Sequence, residues 1–132
     1  VSTSTEAAVT PGVLGTIAEY AHALDSGRTD DIVALFLSDG SAEILGIAAV
    51  EGHEAIRGLY ANMAPTQPQR HLVANTVITS ATADEASAVS DFVFVQRGES
   101  GWAVGVVGQY EDILHRTEDG WRFKSRKTSF VM

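Results

Sequence analysis

Residues 17–36 read IAEYAHALDSGRTDDIVALF and divide at Ser26-Gly27 into the end of one helix and a short second one. On a wheel of about 100° per residue with Leu14 as origin, Ile17, Ala18, Ala21 and Leu24 gather on one side, and Thr16, Glu19, Ala23 and Ser26 fall opposite. Asp25 lands inside the apolar stripe, four residues after Ala21 and seven after Ala18. A carboxylate buried without partners is strongly destabilising, so this acid needs a hydrogen-bond donor or a chemical role.

Working outward, residues 1–10 are small and polar and are expected to fray. Pro11-Gly12 is expected to open the first helix, over about 12–26, with Gly27 as its left-handed stop. Thr29 is the expected cap of the second helix, and Asp30 and Asp31 fall in its first turn, where the dipole favours acids. Ile32, Leu35 and Phe36 form its buried side. Asp39-Gly40 reads as a turn into two short strands about Gly46. A third helix follows Glu51-Gly52, with Ala55, Ile56, Leu59, Tyr60 and Met63 at helical spacing and Pro65 and Pro68 beyond its end. Gly58 costs this helix about 1 kcal/mol relative to alanine, so it depends on packing.

From Gln69 the character changes to β-branched residues, and strands are expected at about 69–81, 85–97, 101–117 and 120–131. Hairpin turns fall at 99–101 and 118–120, the second with a strong Asp-Gly signal. Helices followed by long antiparallel strands indicate an α+β fold: a curved sheet packed on three helices from the N-terminal half, with a pocket between the layers. The 132 residues suit a single domain.

The bulk numbers exclude several classes. Apolar content of 45% and charged content of 20% are those of a folded globule. A net charge of −8 with no basic stripe argues against nucleic-acid partners and anionic membrane surfaces. Arg122, Lys124, Arg126 and Lys127 alternate with apolar residues, as in a strand. The absence of cysteine excludes disulfides, thiolate zinc sites and a cysteine nucleophile. No apolar run approaches the ~18–20 residues that span a bilayer, and no leader pattern opens the sequence, so a cytoplasmic protein is expected. His22 and Asp25 lie three apart, but His53 and His115 fall in other elements, and no bound metal or cofactor is expected. The glycine-rich stretch GWAVGVVG is filled by valines and precedes no helix, so it reads as strand and not as a phosphate loop. No G-x-S-x-G elbow is present.

His71 opens the first long strand, in QRHLVANT. By alternation His71, Val73 and Asn75 share one face, and Leu72, Ala74 and Thr76 the other. If the first face points inward, His71 could meet Asp25. A carboxylate on one imidazole nitrogen fixes the tautomer and stabilises the imidazolium, leaving the other nitrogen to take a proton. The alternative is an Asp25 satisfied by backbone and a surface His71. Asp112 shares a face with Tyr110, and it could serve a ligand or form a salt bridge to Arg116, Arg122 or Arg126. Trp102 and Trp121, near turns, read as packing anchors.

The order and spacing of ALDSGRTDDIVALF, GHEAI, RHLVAN, GQYEDILHR and DGWRFKSR resemble the SnoaL-like branch of the nuclear-transport-factor-2-like superfamily over essentially the whole chain. That resemblance implies a cone of curved mixed sheet closed by three helices around a pocket, in a homodimer or homotrimer. Within the superfamily the sequence is similar to the scytalone dehydratase and hexachlorocyclohexane dehydrochlorinase branches, whose Asp–His dyad matches Asp25 and His71. The resemblance implies a cavity walled by Tyr20, Phe92, Phe94, Val106, Gly108, Tyr110, Arg126, Thr128 and Phe130, with Asp112 on a strand where related isomerases and epoxide hydrolases carry an acid.

Departures limit the transfer. Leu24 stands where scytalone dehydratase has a tyrosine beside its Asp. No second histidine occurs among Phe94, Val95 and Gln96, and Phe36 is the nearest aromatic to the expected tyrosine of the second-helix region. The expected function is therefore a cofactor-independent lyase or isomerase (dehydratase, elimination or cyclase type). It would act on a small, largely apolar, cyclic or polycyclic substrate, with Tyr20, Tyr110 and Arg126 as candidates to polarise it. A non-catalytic binding or accessory module is the alternative. An epoxide hydrolase ranks lower, because Asp112 and Arg126 lack a second inward acid besides Asp25.

Overall fold

The computed structural model describes residues 3–131, with side chains from residue 8 onward. The first helix, α1 (Thr3–Asp25), starts well before the expected position and carries Pro11 inside it. Of the residues expected to fray, 3–10 are helical, while residues 1 and 2 lie outside the described residues. Val9 and Val13, on either side of Pro11, are 1% and 0% exposed. Their burial offsets the one amide that proline withholds.

The buried stripe of α1 is also rotated from the expected one. Val9, Val13, Thr16, Ile17, Tyr20, Ala23 and Leu24 face inward, whereas Leu14 and Ala18 face solvent. Thr16 can be buried because its hydroxyl donates to the Trp121 carbonyl at 2.7 Å.

Helix α2 (Thr29–Ala34) begins on Arg28, with no side-chain cap, and Thr29 is its first helical residue. An Arg28–Asp31 ion pair at 2.6 Å braces that end instead. Strand β1 (Phe36–Ile44) contains Asp39-Gly40, expected as a turn, at an irregularity in the register. A Cβ on Gly40 would lie 2.9 Å from the Leu37 carbonyl and 3.0 Å from that of Phe123, so its turn-forming chemistry serves a bulge.

A turn at Gly46 leads to β2 (Ala48–Glu51) and then α3 (His53–Ala61), which buries Ile56 and Tyr60 and leaves Ala55 exposed. Four long strands follow: β3 (Gln69–Ala81), β4 (Glu85–Gly98), β5 (Gly101–Thr117) and β6 (Gly120–Val131). Trp121 is buried as expected of an anchor, but Trp102 is 53% exposed.

The six strands form one mixed, curved open sheet in the order β2-β1-β6-β5-β4-β3, with only the β1–β6 pairing parallel. The β4–β5 and β5–β6 hairpins close on Gly98–Gly101 and Thr117–Gly120. The alternation along β3 breaks at Asn75, whose φ is +57°. Beyond it Thr76 turns inward to bond Ser90 at 2.9 Å, while Asn75 reaches outward to Asp91. The three helices and the inner face of the sheet share one core around Tyr20, Phe36, Tyr60, Tyr110 and Phe123. Among the described residues no helix is long and apolar enough to cross a membrane.

Candidate active site

Asp25 is the last residue of α1, and His71 is the third residue of β3. The His71 Nδ1 lies 2.6 Å from Asp25 Oδ1. The His71 amide donates to Oδ2 at 2.7 Å, and Gln69 Nε2 donates to Oδ1 at 3.1 Å. The acid in the apolar stripe thus has three donors, two from one residue. Its side chain is 6% exposed and that of His71 is 11% exposed.

Burial alone would raise the Asp25 carboxyl, but the hydrogen bonds from His71 and Gln69 outweigh it and hold the group below its ordinary value. An ionised Asp25 accepts, so Nδ1 carries the proton and the neutral ring has its lone pair on Nε2. That nitrogen has no hydrogen-bond partner among the described residues.

His71 borders an apolar cavity of about 220 Å³ between the helices and the sheet. Its ring packs on Phe94 and Phe92, with centroids at 4.7 and 5.9 Å. Tyr20, Phe92, Phe94, Val106, Tyr110, Thr128 and Phe130 all lie on the wall. Leu24, Ile44, Ile47, Met63 and Gln69 complete it and were not singled out from sequence. Two of these carried a usable signal: Leu24 adjoins Asp25 on the helix, and Gln69 shares the inward parity of His71. Ile47 comes from the β1–β2 turn, where no periodicity marks it.

Asp112 and Arg126 are not on the wall. Arg126 Nε and Nη2 lie 2.8 and 2.9 Å from the two Asp112 oxygens, and both side chains are fully buried. The guanidinium lies under the rings of Tyr110, Tyr20 and Phe123, at 3.7, 4.2 and 4.5 Å from their centroids. Of the two readings open for Asp112, the salt bridge to Arg126 is the one formed, and neither residue borders this cavity. Both Asp112 oxygens and two of the three Arg126 nitrogens are engaged with each other beneath the aromatic wall, while Arg126 Nη1 has no acceptor among the described residues. Arg116 pairs instead with Asp84, and Arg122 bonds backbone carbonyls. Gly108 lies against Phe92, where a Cβ would come within 2.3 Å of the ring. Among the described residues no cluster of three or more histidine, aspartate or glutamate side chains could hold a metal ion.

A curved mixed sheet with three helices across one face and a cavity between them defines the cystatin-like, nuclear-transport-factor-2-like class of folds. The chain belongs to the SnoaL-like domain family, which it matches over residues 12–127. A scytalone dehydratase-like protein from Novosphingobium aromaticivorans superposes with a TM-score of 0.87 at 21% identity, covering 99% of this chain and 89% of that one. An aromatic-ring-hydroxylase-like protein from the same organism gives 0.81 at 26% identity, covering 92% and 87%. The hexachlorocyclohexane dehydrochlorinase LinA gives 0.81 at 17% identity, covering 93% and 86%. Dehydratase-type proteins are therefore among its structural neighbours. No curated protein is a significant match in sequence.

Proposed function

We propose that this protein is a cofactor-independent lyase or isomerase in which His71, oriented by Asp25, removes a proton from a carbon next to a carbonyl or a leaving group. The observation that carries this reading is the 2.6 Å contact from His71 Nδ1 to Asp25 on the border of an apolar cavity, which leaves Nε2 free. Abstraction breaks a C–H bond, forms N–H on Nε2, and leaves an electron pair to expel the leaving group or to pass to the carbonyl oxygen. Asp25 stabilises the imidazolium and does not itself take the proton. An apolar cavity of about 150 Å³ binds benzene, so a cavity somewhat larger suits one ring or a small fused pair.

A screen of hydroxylated cyclic and polycyclic ketones in D2O, followed by NMR for loss of water or for hydrogen exchange, identifies the substrate. His71→Ala and Asp25→Asn are each expected to lower turnover by ~10²–10⁴, the usual contribution of a positioned general base. If both variants stay within about threefold of wild type, His71 is not the base.

A further inference from the structure

The polar groups on the cavity wall divide by element. Tyr20, Tyr110 and Thr128, from α1, β5 and β6, bring hydroxyls, whereas β3 brings His71 and Gln69. Gln69 is 5% exposed and lies two residues before His71 on the same face of β3, about 7 Å along the strand. It is also tied to the dyad, because its Nε2 donates to Asp25 Oδ1, the oxygen that His71 Nδ1 contacts.

That tie decides which end of the amide is left over. An ionised Asp25 only accepts, so the NH2 group faces it and the amide oxygen faces away; a flipped amide would set two acceptors against each other. Gln69 Oε1 takes no hydrogen bond from any described residue. It is not sealed in either, since the fully enclosed side-chain polar atom without a partner among the described residues is Arg126 Nη1.

We infer that Gln69 Oε1 opens on the cavity and accepts a hydrogen bond from a ligand hydroxyl, which makes Gln69 a specificity-determining residue for ligands that carry an O–H donor. This rests on the reading of the cavity as the site where His71 acts as base, and it adds what the ligand carries beside its acidic carbon. The selection has a simple physical origin. A ligand that fills the cavity without a donor cuts Oε1 off from water and leaves a buried acceptor unpaired, whereas a hydroxyl satisfies it. Ether and halide substituents at the same place cannot, because they only accept. One Asp25 oxygen thus orients both the imidazole that takes the proton and the amide that reads the hydroxyl.

The probes are 2-naphthol, which carries the donor, 2-methoxynaphthalene, which carries only an acceptor there, and naphthalene, which carries neither. Affinities are measured by fluorescence for wild type, Gln69→Met and Gln69→Glu. Methionine keeps the reach of the side chain and removes the amide. Glutamic acid keeps an oxygen at that reach, and beside an ionised Asp25 its protonated form is favoured, with an O–H to face the carboxylate as the NH2 did. The expected result in Gln69→Met is about a tenfold or greater fall in naphthol affinity relative to naphthalene, with methoxynaphthalene unchanged relative to naphthalene. Gln69→Glu should keep the naphthol ratio within about threefold of wild type. A merely structural loosening would weaken all three probes together and leave the ratios alone, and that outcome overturns the assignment. A matching fall for methoxynaphthalene would assign the contact to the second N–H of Gln69 and overturns it too, as does a Gln69→Glu that loses the ratio as fully as Gln69→Met.

Turnover in His71→Ala separates this inference from the reading it rests on. A naphthol ratio that ignores Gln69, with turnover still dependent on His71, sinks the acceptor and leaves the base standing. A Gln69-dependent ratio with turnover indifferent to His71 supports the acceptor and sinks the base.

Discussion

Asp112 and Arg126 meet side-on in the core, Nε to Oδ1 at 2.8 Å and Nη2 to Oδ2 at 2.9 Å, and neither side chain touches solvent. Burial would discharge Arg126, but Asp112 holds its proton more firmly than water would. The pair organises the wall without belonging to it, since the guanidinium also supports the rings of Tyr20 and Tyr110.

Removing one partner strands the other charge. Asp112→Ala is expected to destabilise the fold by roughly 3–5 kcal/mol in urea unfolding. Replacing both residues with apolar ones of similar volume (Asp112→Leu with Arg126→Met) should recover most of that loss, because a buried ion pair contributes little net stability. A double variant as unstable as the sum of the two singles would contradict this account.

Asp25 makes stability depend on pH on the acid side. Its folded value lies below the ordinary one, so between the two values the unfolded chain binds more protons than the native one, and stability rises with pH. The contribution is fully present above the unfolded value of about 3.9 and is lost as pH falls through the folded value. The gap in urea midpoint between wild type and Asp25→Asn should therefore shrink as pH is lowered below about 4. A gap that widens there would show that the carboxylate is not what the native state favours.

Much of the sheet was legible because period-two patterning and hairpin chemistry are local. The bounds of β3 to β6 fall within a residue of those read from the sequence. What escaped depends on partners distant in sequence. Val9 holds the early turns of α1 in place from the core, and Thr16 is buried only because Trp121, 105 residues away, offers a carbonyl. Asp25 stood out as an acid among apolar residues even though the stripe itself is rotated. The family resemblance set Arg126 on the cavity wall, whereas the side chain stops beneath that wall in the salt bridge to Asp112 that the sequence had left open.

Asn75 shows how one backbone angle decides a face. Its φ of +57° lets Thr76 turn toward Ser90 where strict alternation would turn it out. Left-handed backbone suits glycine and, less well, asparagine, and β-branched residues worst. Asn75→Gly should fall close to wild type, whereas Asn75→Val should cost about 1–2 kcal/mol in thermal or urea unfolding. Equal stability of the two variants would mean that the bulge relaxes at no cost.

Gly108 ties strand packing to the cavity. A Cβ at this position would lie 2.3 Å from Cε2 of Phe92 and 2.5 Å from the Ser129 carbonyl, a backbone atom held in the β5–β6 ladder. The carbonyl cannot yield without breaking the ladder, so the ring must. Phe92 is stacked on Tyr110 at 4.4 Å and faces His71 at 5.9 Å, so a displaced ring loses its stack and encroaches on the space beside the imidazole. Gly108→Ala is expected to destabilise by about 1–3 kcal/mol, as overpacking does. It should weaken naphthalene binding at the same time, even when protein is measured well below its unfolding midpoint. Gly15→Ala is the matched control: nothing lies within 4 Å of its Cβ on an exposed face of α1. It should stabilise by up to about 1 kcal/mol and leave binding unchanged. If Gly108→Ala lowers stability while naphthalene affinity holds, Phe92 has moved away from the cavity and not into it.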